Sequence, residues 1–345
     1  MKKLLLIILF VAFGLLIVFL LYVSSRSSID QKNGFNRTFN NIGIKKLNEF
    51  DLKFANYYIS GITNSNIFLG NHKATLHGVM ISADLRDTVH INNPNFIKDT
   101  IDIWAIKVQI DSPNVYYMER MTPAYAQAIL PFAETKRIDL NDIKFDRIKV
   151  ISKNSFVIRY FQSKHRVLQK ITIQPTIKRK GIFRLSDGIN NDFALDGYLA
   201  YNKATGKLIY INYYSNKFIC LDTNMNFVYI GNTIDTNRIA KIKVAEINKT
   251  KTKEKLMSAP PLQVNKRGYA DGKWLYIQSL LASDQEPLKQ FNTYTVIDIY
   301  HIENGKYSHS IQVPNINDKK LTDFIVLNNK LYALYDHYMV SYEIH

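Results

Sequence analysis

Histidines are the first candidates for chemistry in this sequence, because neutral imidazole is the commonest metal ligand among side chains. His72 and His77 lie five residues apart. In a regular strand this odd offset places two side chains on opposite faces, so one metal ion could not easily bind both. The spacing also lacks the glutamate of the zinc-protease helix motif. We therefore interpret these histidines as ordinary strand or surface residues and predict no metal site.

Two further catalytic motifs are absent from the sequence. Neither the Cys-x-x-Cys-His motif of covalent haem nor the Gly-x-Ser-x-Gly nucleophile elbow occurs. The single cysteine, Cys220, lies between Ile219 and Leu221. One cysteine cannot form an internal disulfide, and apolar neighbours are typical of a small buried side chain. We expect no cofactor, and we expect Cys220 to pack in the core.

The elements that must position any site are clearest in residues 197–232. This stretch contains four short segments rich in Tyr, Ile, Leu, Val and Phe, separated by turn clusters of Asn, Ser, Thr and Gly. Such segments are typical of strands, because aromatic and β-branched side chains fit a pleated, half-buried sheet. Four consecutive strands form an antiparallel meander, which is the unit of a β-propeller blade.

Weaker copies of this pattern recur along the chain and predict further blades. The last copy provides only three strands before His345, whereas the alternating segment 50–54 precedes the first copy without a partner. A strand from one end of the chain can complete the blade at the other and close the ring. We therefore predict an all-β fold, a six-bladed β-propeller of four-stranded antiparallel blades closed by an N-terminal strand, with seven blades as the alternative. The copies span residues 57–91, 101–130, 145–172, 271–312 and 323–344.

Two blocks of this pattern give the sequence a resemblance to a known group. The blocks are LAYNKATGKLIYINYYSNKFICLD, beginning at Leu199, and FIVLNNKLYALYDHYMVSYEI, beginning at Phe324. Together with an N-terminal apolar segment and many Ile, Lys, Asn and Tyr residues, they resemble the TolB-like six-bladed β-propellers, and within them the membrane-anchored or secreted propellers of Bacteroidetes-type bacteria. The resemblance covers residues 49–345. It implies the fold, the compartment and a role in binding or scaffolding, and it transfers no catalytic residue.

The first 23 residues indicate where the protein resides. Lys2 and Lys3 precede an uncharged run, 4–23, with about the twenty apolar residues that cross a bilayer. Lysines in this position favour a cytoplasmic N-terminus, which would leave the rest of the chain on the outer side. We predict a single-pass inner-membrane protein with its propeller on the periplasmic side; the alternative is cleavage of a signal peptide and release into the periplasm. The predicted regions are an anchor or signal segment over 1–23, a polar linker over 24–48 and the propeller over 49–345.

The chain is strongly basic, with a net charge of +16. The basic residues are spread along the sequence and match no nucleic-acid-binding motif, so we predict no nucleic-acid partner. Two stretches are denser in Lys and Arg, and long loops on a propeller face often carry binding residues. They predict contact with an anionic partner, with a solvated surface as the alternative. The residues concerned are Lys178, Arg179, Lys180, Lys251 and Lys253.

Residues on the innermost strands of a propeller face its central channel, where a small ligand could bind. Arg147, Asp196 and Tyr198 fall near the starts of such strands and are our candidates for ligand binding. Calcium-dependent propeller hydrolases instead surround the channel with Glu, Asn and Asp oxygens, because a hard cation needs several converging oxygens. The acids near first strands here, without an accompanying Glu, are Asp146, Asp192, Asp196 and Asp323.

These observations favour a non-catalytic role over turnover. We predict a monomeric, membrane-anchored module that binds a protein or a small molecule across one face or in the channel. The alternative is a metal-assisted hydrolase or lactonase with its site in the channel. A channel cluster of three or more Asp, Asn or Glu oxygens would favour the hydrolase, whereas a lining of Arg, Tyr and apolar groups would favour binding.

Overall fold

The structure, a computed structural model, describes most of the chain. The described residues are 2–29, 32–40, 43–92, 106–119, 124–130, 135–140, 143–163, 165–174, 176–186, 192–249 and 252–344. Helix α1 spans Lys2–Ile29. Some side chains of residues 4–23 are not among the described ones. In the described part of the chain, no helix is long and apolar enough to cross a membrane.

The strands of the first half of the chain form three four-stranded antiparallel sheets, each of which is one blade. Blade 1 contains β2 (Tyr57–Ile62), β3 (Asn66–Asn71), β4 (His77–Ser82) and β5 (Thr88–Asn92). Blade 2 contains β6 (Lys107–Asp111), β7 (Asn114–Glu119), β8 (Ala124–Ile129) and β9 (Lys136–Asp139). Blade 3 contains β10 (Arg147–Ser152), β11 (Ser155–Gln162), β12 (His165–Gln174) and β13 (Thr176–Arg184).

The second half of the chain forms three more blades and one additional hairpin. Blade 4 contains β14 (Gly197–Asn202), β15 (Lys207–Asn212), β16 (Lys217–Asp222) and β17 (Phe227–Asn232). The hairpin of β18 (Val244–Lys249) and β19 (Thr252–Met257) follows. Blade 5 contains β20 (Asn265–Asp271), β21 (Trp274–Ser279), β22 (Tyr294–His301) and β23 (Tyr307–Pro314), with the one-turn helix α2 (Leu288–Phe291) before β22. Blade 6 contains β24 (Leu321–Leu327), β25 (Lys330–Tyr335), β26 (Tyr338–Ile344) and β1 (Ile44–Asp51). The prediction of a six-bladed propeller is confirmed.

The N-terminal strand closes the ring, as predicted, but its position differs. β1 pairs antiparallel with β26 along its length, as the outer strand of blade 6. The sequence predicts the closing strand at 50–54, whereas the observed strand begins at Ile44 and ends at Asp51. The Asp51 Oδ1 atom accepts a hydrogen bond from the Lys53 backbone N–H at 2.8 Å, and Lys53 has a φ of 67°. This Asx-type turn ends the strand directly after Asp51.

Residues 33–39 pack against blade 5. The Arg37 guanidinium is fully buried between the carboxylates of Glu286 and Asp298. Residues 44–48 belong to the closing strand. Two parts of the predicted linker over 24–48 are therefore attached to the propeller. Residues 33–39 are held by the buried Arg37, and residues 44–48 are part of the outer strand β1.

The core lies between neighbouring blades, where the middle strands are covered on both faces. In blade 4, β15 is buried from Leu208 onward and β16 from Phe218 to Leu221. Such continuous apolar runs are typical of strands that are enclosed by layers on both sides. Cys220 is fully buried in β16, which confirms its interpretation as a small core side chain. The packed blades hold the innermost strands in fixed positions around the channel.

Candidate functional site

The innermost strand of each blade forms part of the wall of a central channel. These strands are β2, β6, β10, β14, β20 and β24, and each contacts its neighbours in ring order. A cavity of about 390 Å³ opens at the end of the channel where these strands begin. Small-molecule sites usually have volumes of about 300–1,000 Å³, so this cavity is large enough for a small ligand.

The lining of this cavity is strongly cationic. Among the described lining residues, five carry a positive charge and two carry a carboxylate. A cavity wall of low dielectric strengthens the field of such charges and concentrates counter-ions inside. The site is therefore complementary to an anion. The cations are Lys107, Arg147, Lys149, Lys266 and Arg267, and the carboxylates are Asp146 and Asp323.

Asp323 is already occupied by groups of the protein. Its Oδ1 and Oδ2 atoms accept backbone N–H bonds from Phe324 at 2.9 Å and Ile59 at 3.0 Å. It also forms an ion pair with Arg267 across blades 5 and 6. Burial lowers the pKa of Arg267, but Asp323 outweighs this effect and the pKa is raised, so the guanidinium stays charged. The pair fixes Arg267 in the channel wall.

Lys149 and Lys266 line the cavity without such a counter-charge. Neither forms an ion pair with any described residue. Burial in the channel wall and the nearby Lys107 lower the pKa of Lys149 to about 8. Burial and the adjacent Arg267 lower the pKa of Lys266 as well. An anionic ligand would supply the missing counter-charge and raise both pKa values.

A buried ion-pair network supports the cavity on the side of blades 3 and 4. Its centre is Arg159, which is 1% exposed and binds both oxygens of Asp146, at 2.8 Å from Nε and 2.5 Å from Nη2. The Arg159 Nη1 atom also lies 2.7 Å from Asp196 Oδ1 and bonds to the Tyr210 hydroxyl. Arg166 adds a contact of 3.2 Å to Asp146. Because the two carboxylates are held by buried arginines, this network is a rigid support.

The three predicted channel residues fall into two environments. Arg147 and Tyr198 both line the cavity. Burial raises the pKa of Tyr198 to about 12, so its phenol remains protonated and can donate a hydrogen bond. Asp196 is not among the lining residues; it pairs with Arg159 and lies 3.6 Å from Arg147 Nη2. Asp196 therefore positions Arg147 from behind.

Three of the predicted anionic-partner residues lie on blade 3 and are not among the described lining residues of the cavity. Lys178, Arg179 and Lys180 are exposed on β13, the outermost strand of blade 3. Lys253 belongs to β19 in the additional hairpin, and Lys251 lies outside the described residues. The two basic stretches thus occupy separate elements.

The two histidines singled out in the sequence make different contacts. His72 lies at the cavity and packs against Tyr58, with ring centroids 4.5 Å apart and ring planes tilted by 38°. His77 Nε2 lies 3.0 Å from His90 Nδ1 on the neighbouring strand. No group of three or more His, Cys, Asp or Glu residues that could hold a metal ion occurs in the part of the chain that is described.

Four lining cations were missed by the sequence reasoning, although the strands carry a signal for them. β6 begins Lys107-Val-Gln109, and β10 begins Arg147-Ile-Lys149, so alternate polar residues point to one face of each strand. In β20 a register shift between Asn265 and Arg267 breaks the alternation and lets two successive basic residues reach the cavity. Alternation of Lys, Arg and Gln on the first strand of a blade could therefore identify Lys107 and Lys149, but not Lys266 and Arg267.

Comparison with known proteins defines the fold. The sequence matches no known family and no curated protein. Its structure is similar to that of a streptogramin B lyase, with 11% identity over 88% of this chain and 98% of that chain and a TM-score of 0.51. It is also similar to a member of the DUF4221 family from Bacteroides vulgatus, with 10% identity over 90% of this chain and 98% of that chain and a TM-score of 0.50. Both likenesses agree with the six-bladed β-propeller fold seen in the sheet topology. At these identities the likeness concerns the fold alone, so function must be argued from the channel.

Proposed function

We propose that this protein is a binding module whose central channel holds a small anionic ligand. The observation that carries the proposal is the pair of lysines, Lys149 and Lys266, which line the cavity without a counter-charge among the described residues. A charged group removed from water is costly unless it is paired. An anion bound beside these lysines would pair with their charges and offset this free-energy cost.

The lining also indicates which anions fit. Arg147 and Arg267 offer planar guanidinium groups, which suit the paired oxygens of a carboxylate, phosphate or sulfate. The hydroxyls of Tyr198 and Tyr213 add neutral donors at the same cavity. A compact, highly oxygenated anion uses all of these groups, whereas an apolar ligand would leave them unpaired.

No observation on the described residues favours a metal-assisted hydrolase. The two cavity carboxylates are each bound by arginine: Asp146 by Arg159 and Asp323 by Arg267. Converging free oxygens, which a hard cation requires, are not found among the described lining residues. The lining instead matches the Arg- and Tyr-containing channel that the sequence analysis associates with binding.

The proposal places the module at the outer face of a bacterial inner membrane, held by the N-terminal segment. The sequence of residues 4–23 supports this, and so do the exposed apolar side chains along α1 from Leu9 to Leu21. Release into the periplasm after cleavage is the alternative. We further propose membership of the TolB-like propellers of Bacteroidetes-type bacteria, from the blade sequences around Leu199 and Phe324. A second, protein-binding role would use the exposed Lys178, Arg179 and Lys180.

Isothermal titration calorimetry of the full chain in mild detergent tests the channel proposal. The probes are malonate, inorganic phosphate and sulfate, with neutral glycerol as the control ligand. We expect an anion to bind, and binding to weaken as NaCl rises because salt screens the cations. Lys266→Gln should weaken binding about tenfold, because a hydrogen bond to a charged group contributes about 1.5 kcal/mol. Lys153→Gln, an exposed lysine in the turn after β10, is the matched control.

Two results would contradict the proposal. The first is that none of the anions binds to the wild-type protein. The second is that Lys266→Gln and Lys153→Gln weaken binding equally, since this would locate the anion on the general basic surface instead of in the channel.

A further inference from the structure

Lys149 lies between two adjoining cavities. It lines the cavity of about 390 Å³ and also a second cavity of about 180 Å³ further along the channel. The two cavities share this lysine and five other lining residues, so they adjoin each other. The shared residues are Ile59, Ser60, Gln109, Lys149, Tyr198 and Asp323. A ligand in either cavity would therefore lie beside Lys149.

The carboxylates near Lys149 are each held by another cation. Asp323 forms an ion pair with Arg267, and Asp111 forms one with Lys203 at 2.7 Å. The nearby Lys107 is a like charge. Lys149 itself forms no ion pair with a described residue. The surroundings therefore stabilise its ammonium form less than those of an ordinary lysine.

This environment has a chemical consequence. Burial and Lys107 lower the pKa of Lys149 to about 8, against about 10.4 for an ordinary lysine. At pH 7 roughly one Lys149 amine in ten is neutral, which is about 200 times the fraction for an ordinary lysine. Only the neutral amine is a nucleophile, and a desolvated lysine beside another cation is a known arrangement for imine formation.

We propose that Lys149 forms an imine with a 2-oxo carboxylate held in the channel. This inference rests on the proposed anion site, because the neighbouring cations would bind the carboxylate while the carbonyl meets the amine. The Lys149 nitrogen attacks the carbonyl carbon, and the carbonyl π electrons move to oxygen, which takes up a proton. The resulting carbinolamine loses water and forms the C=N bond. No oxidant or further reactant is needed, and water reverses the reaction.

Reductive trapping tests this chemistry directly. The full-length protein is treated with glyoxylate and cyanoborohydride, and the modified lysines are identified by peptide mass spectrometry. Hydride addition to the imine leaves a carboxymethyl group on the nitrogen. We expect Lys149 to be modified about tenfold or more faster than exposed lysines at pH 7. Peptide mapping separates this product from that of the α-amino group, whose ordinary pKa is also close to 8.

Matched variants and conditions distinguish the channel amine from general labelling. Lys149→Arg keeps the charge and should remove the fast modification, whereas Lys153→Arg in the same blade should leave it unchanged. Malonate, which has carboxylates but no aldehyde or ketone carbonyl, should protect Lys149. With glyoxylate far below saturation, the rate reports the free protein and should rise at Lys149 with pH to a plateau with a midpoint near 8. Exposed lysines should continue to gain reactivity above pH 10.

The outcomes separate the two proposals. Modification of Lys149 at the rate of exposed lysines, or unchanged labelling in the presence of malonate, would overturn the imine proposal. If Lys149 is labelled no faster than exposed lysines while malonate still binds to the wild-type protein and to Lys149→Arg in the calorimeter, the anion site stands and the imine proposal fails. If no anion binds and labelling follows exposure alone, both proposals fail.

Discussion

The buried Arg37 should stabilise the propeller more than any exposed cation, and its substitution gives a quantitative test. The Arg37 side chain is 0% exposed, and its partners Glu286 and Asp298 are 3% and 2% exposed. Its Nε atom lies 2.8 Å from Asp298 Oδ1, and its Nη2 atom donates to Ser279 Oγ at 2.7 Å. Arg37→Met would leave two buried carboxylates without a counter-charge.

The expected magnitude follows from that loss. Removing one partner of a buried ion pair typically destabilises a protein by about 3–5 kcal/mol. A chain of this size loses about 2 °C in Tm per kcal/mol, so we expect a decrease of about 6–10 °C. Arg238→Met, at an exposed arginine that follows blade 4, should change stability by less than about 0.5 kcal/mol. Adding Asp298→Asn to Arg37→Met should recover part of the loss, because one unpaired charge is removed.

Urea unfolding of the full chain in mild detergent, followed by tyrosine fluorescence, measures the differences in the free energy of unfolding. Thermal unfolding measures the decrease in Tm.

The pH dependence of stability provides a second test. Burial opposes ionisation of Glu286, but Arg37 outweighs this and the pKa of Glu286 is lowered. A lowered carboxyl pKa stabilises the fold above the unfolded value of about 4.3, and this contribution is lost as pH falls through the folded pKa. Arg37→Met should lack this contribution.

An Arg37→Met variant that unfolds within about 1 kcal/mol of the wild-type protein would contradict a stabilising role of this buried ion pair. That result would mean that residues 33–39 detach at little cost and that Glu286 and Asp298 find other partners. An equal loss in Arg37→Met and Arg238→Met would point instead to a general effect of net charge.

Two further predictions concern the blades. Burial raises the pKa of the Cys220 thiol, so iodoacetamide should label it only after denaturation; fast labelling of the folded protein at pH 8 would contradict its place in the core. A Cβ at Gly61 would overlap the backbone carbonyl oxygen of Ile110, so Gly61→Ala should destabilise the protein by about 1–3 kcal/mol in urea unfolding. Ser60→Ala should instead be neutral or slightly stabilising, because the buried Ser60 hydroxyl has no hydrogen-bond partner among the described residues; equal losses in both variants would contradict the overlap.

The fold could be predicted where apolar strand segments are separated by turn residues such as Asn, Ser, Thr and Gly. Residues 197–232 contain all four strands of blade 4 because each apolar segment is bounded by Asn, Ser, Thr or Gly. The closing strand was also recognisable, since an incomplete final blade requires a partner. The strand limits were less accurate, because the turn after Asp51 depends on a side-chain hydrogen bond that composition does not show.

Outer strands were harder to recognise. β13 (Thr176–Arg184) forms the fourth strand of blade 3, but its sequence TIKRKGIFR is dominated by basic residues. Most of its side chains are exposed, so burial imposes little hydrophobic pattern on it. The segment around Arg37 was missed for the opposite reason: a single buried arginine is stabilised by carboxylates about 250 positions later in the sequence, and no local pattern records that contact.

The channel strand β20 shows why the candidate site itself was the least predictable part. Its sequence, NKRGYAD, contains little apolar character and matches no strand template, yet it pairs with β21 along its length. The polar residues that hide the strand are the ones that line the cavity, because Lys266 and Arg267 both reach it through the register shift after Asn265. A propeller with a purely structural channel could fill such positions with Val, Ile or Ala and gain stability by burial. The channel wall instead contains Lys149 and Lys266, whose charged forms are destabilised by burial and by neighbouring cations, as their lowered pKa values indicate. Departures from the usual sequence pattern of strands are expected at functional sites. The polar sequence of β20 therefore supports the proposal that the channel binds a ligand.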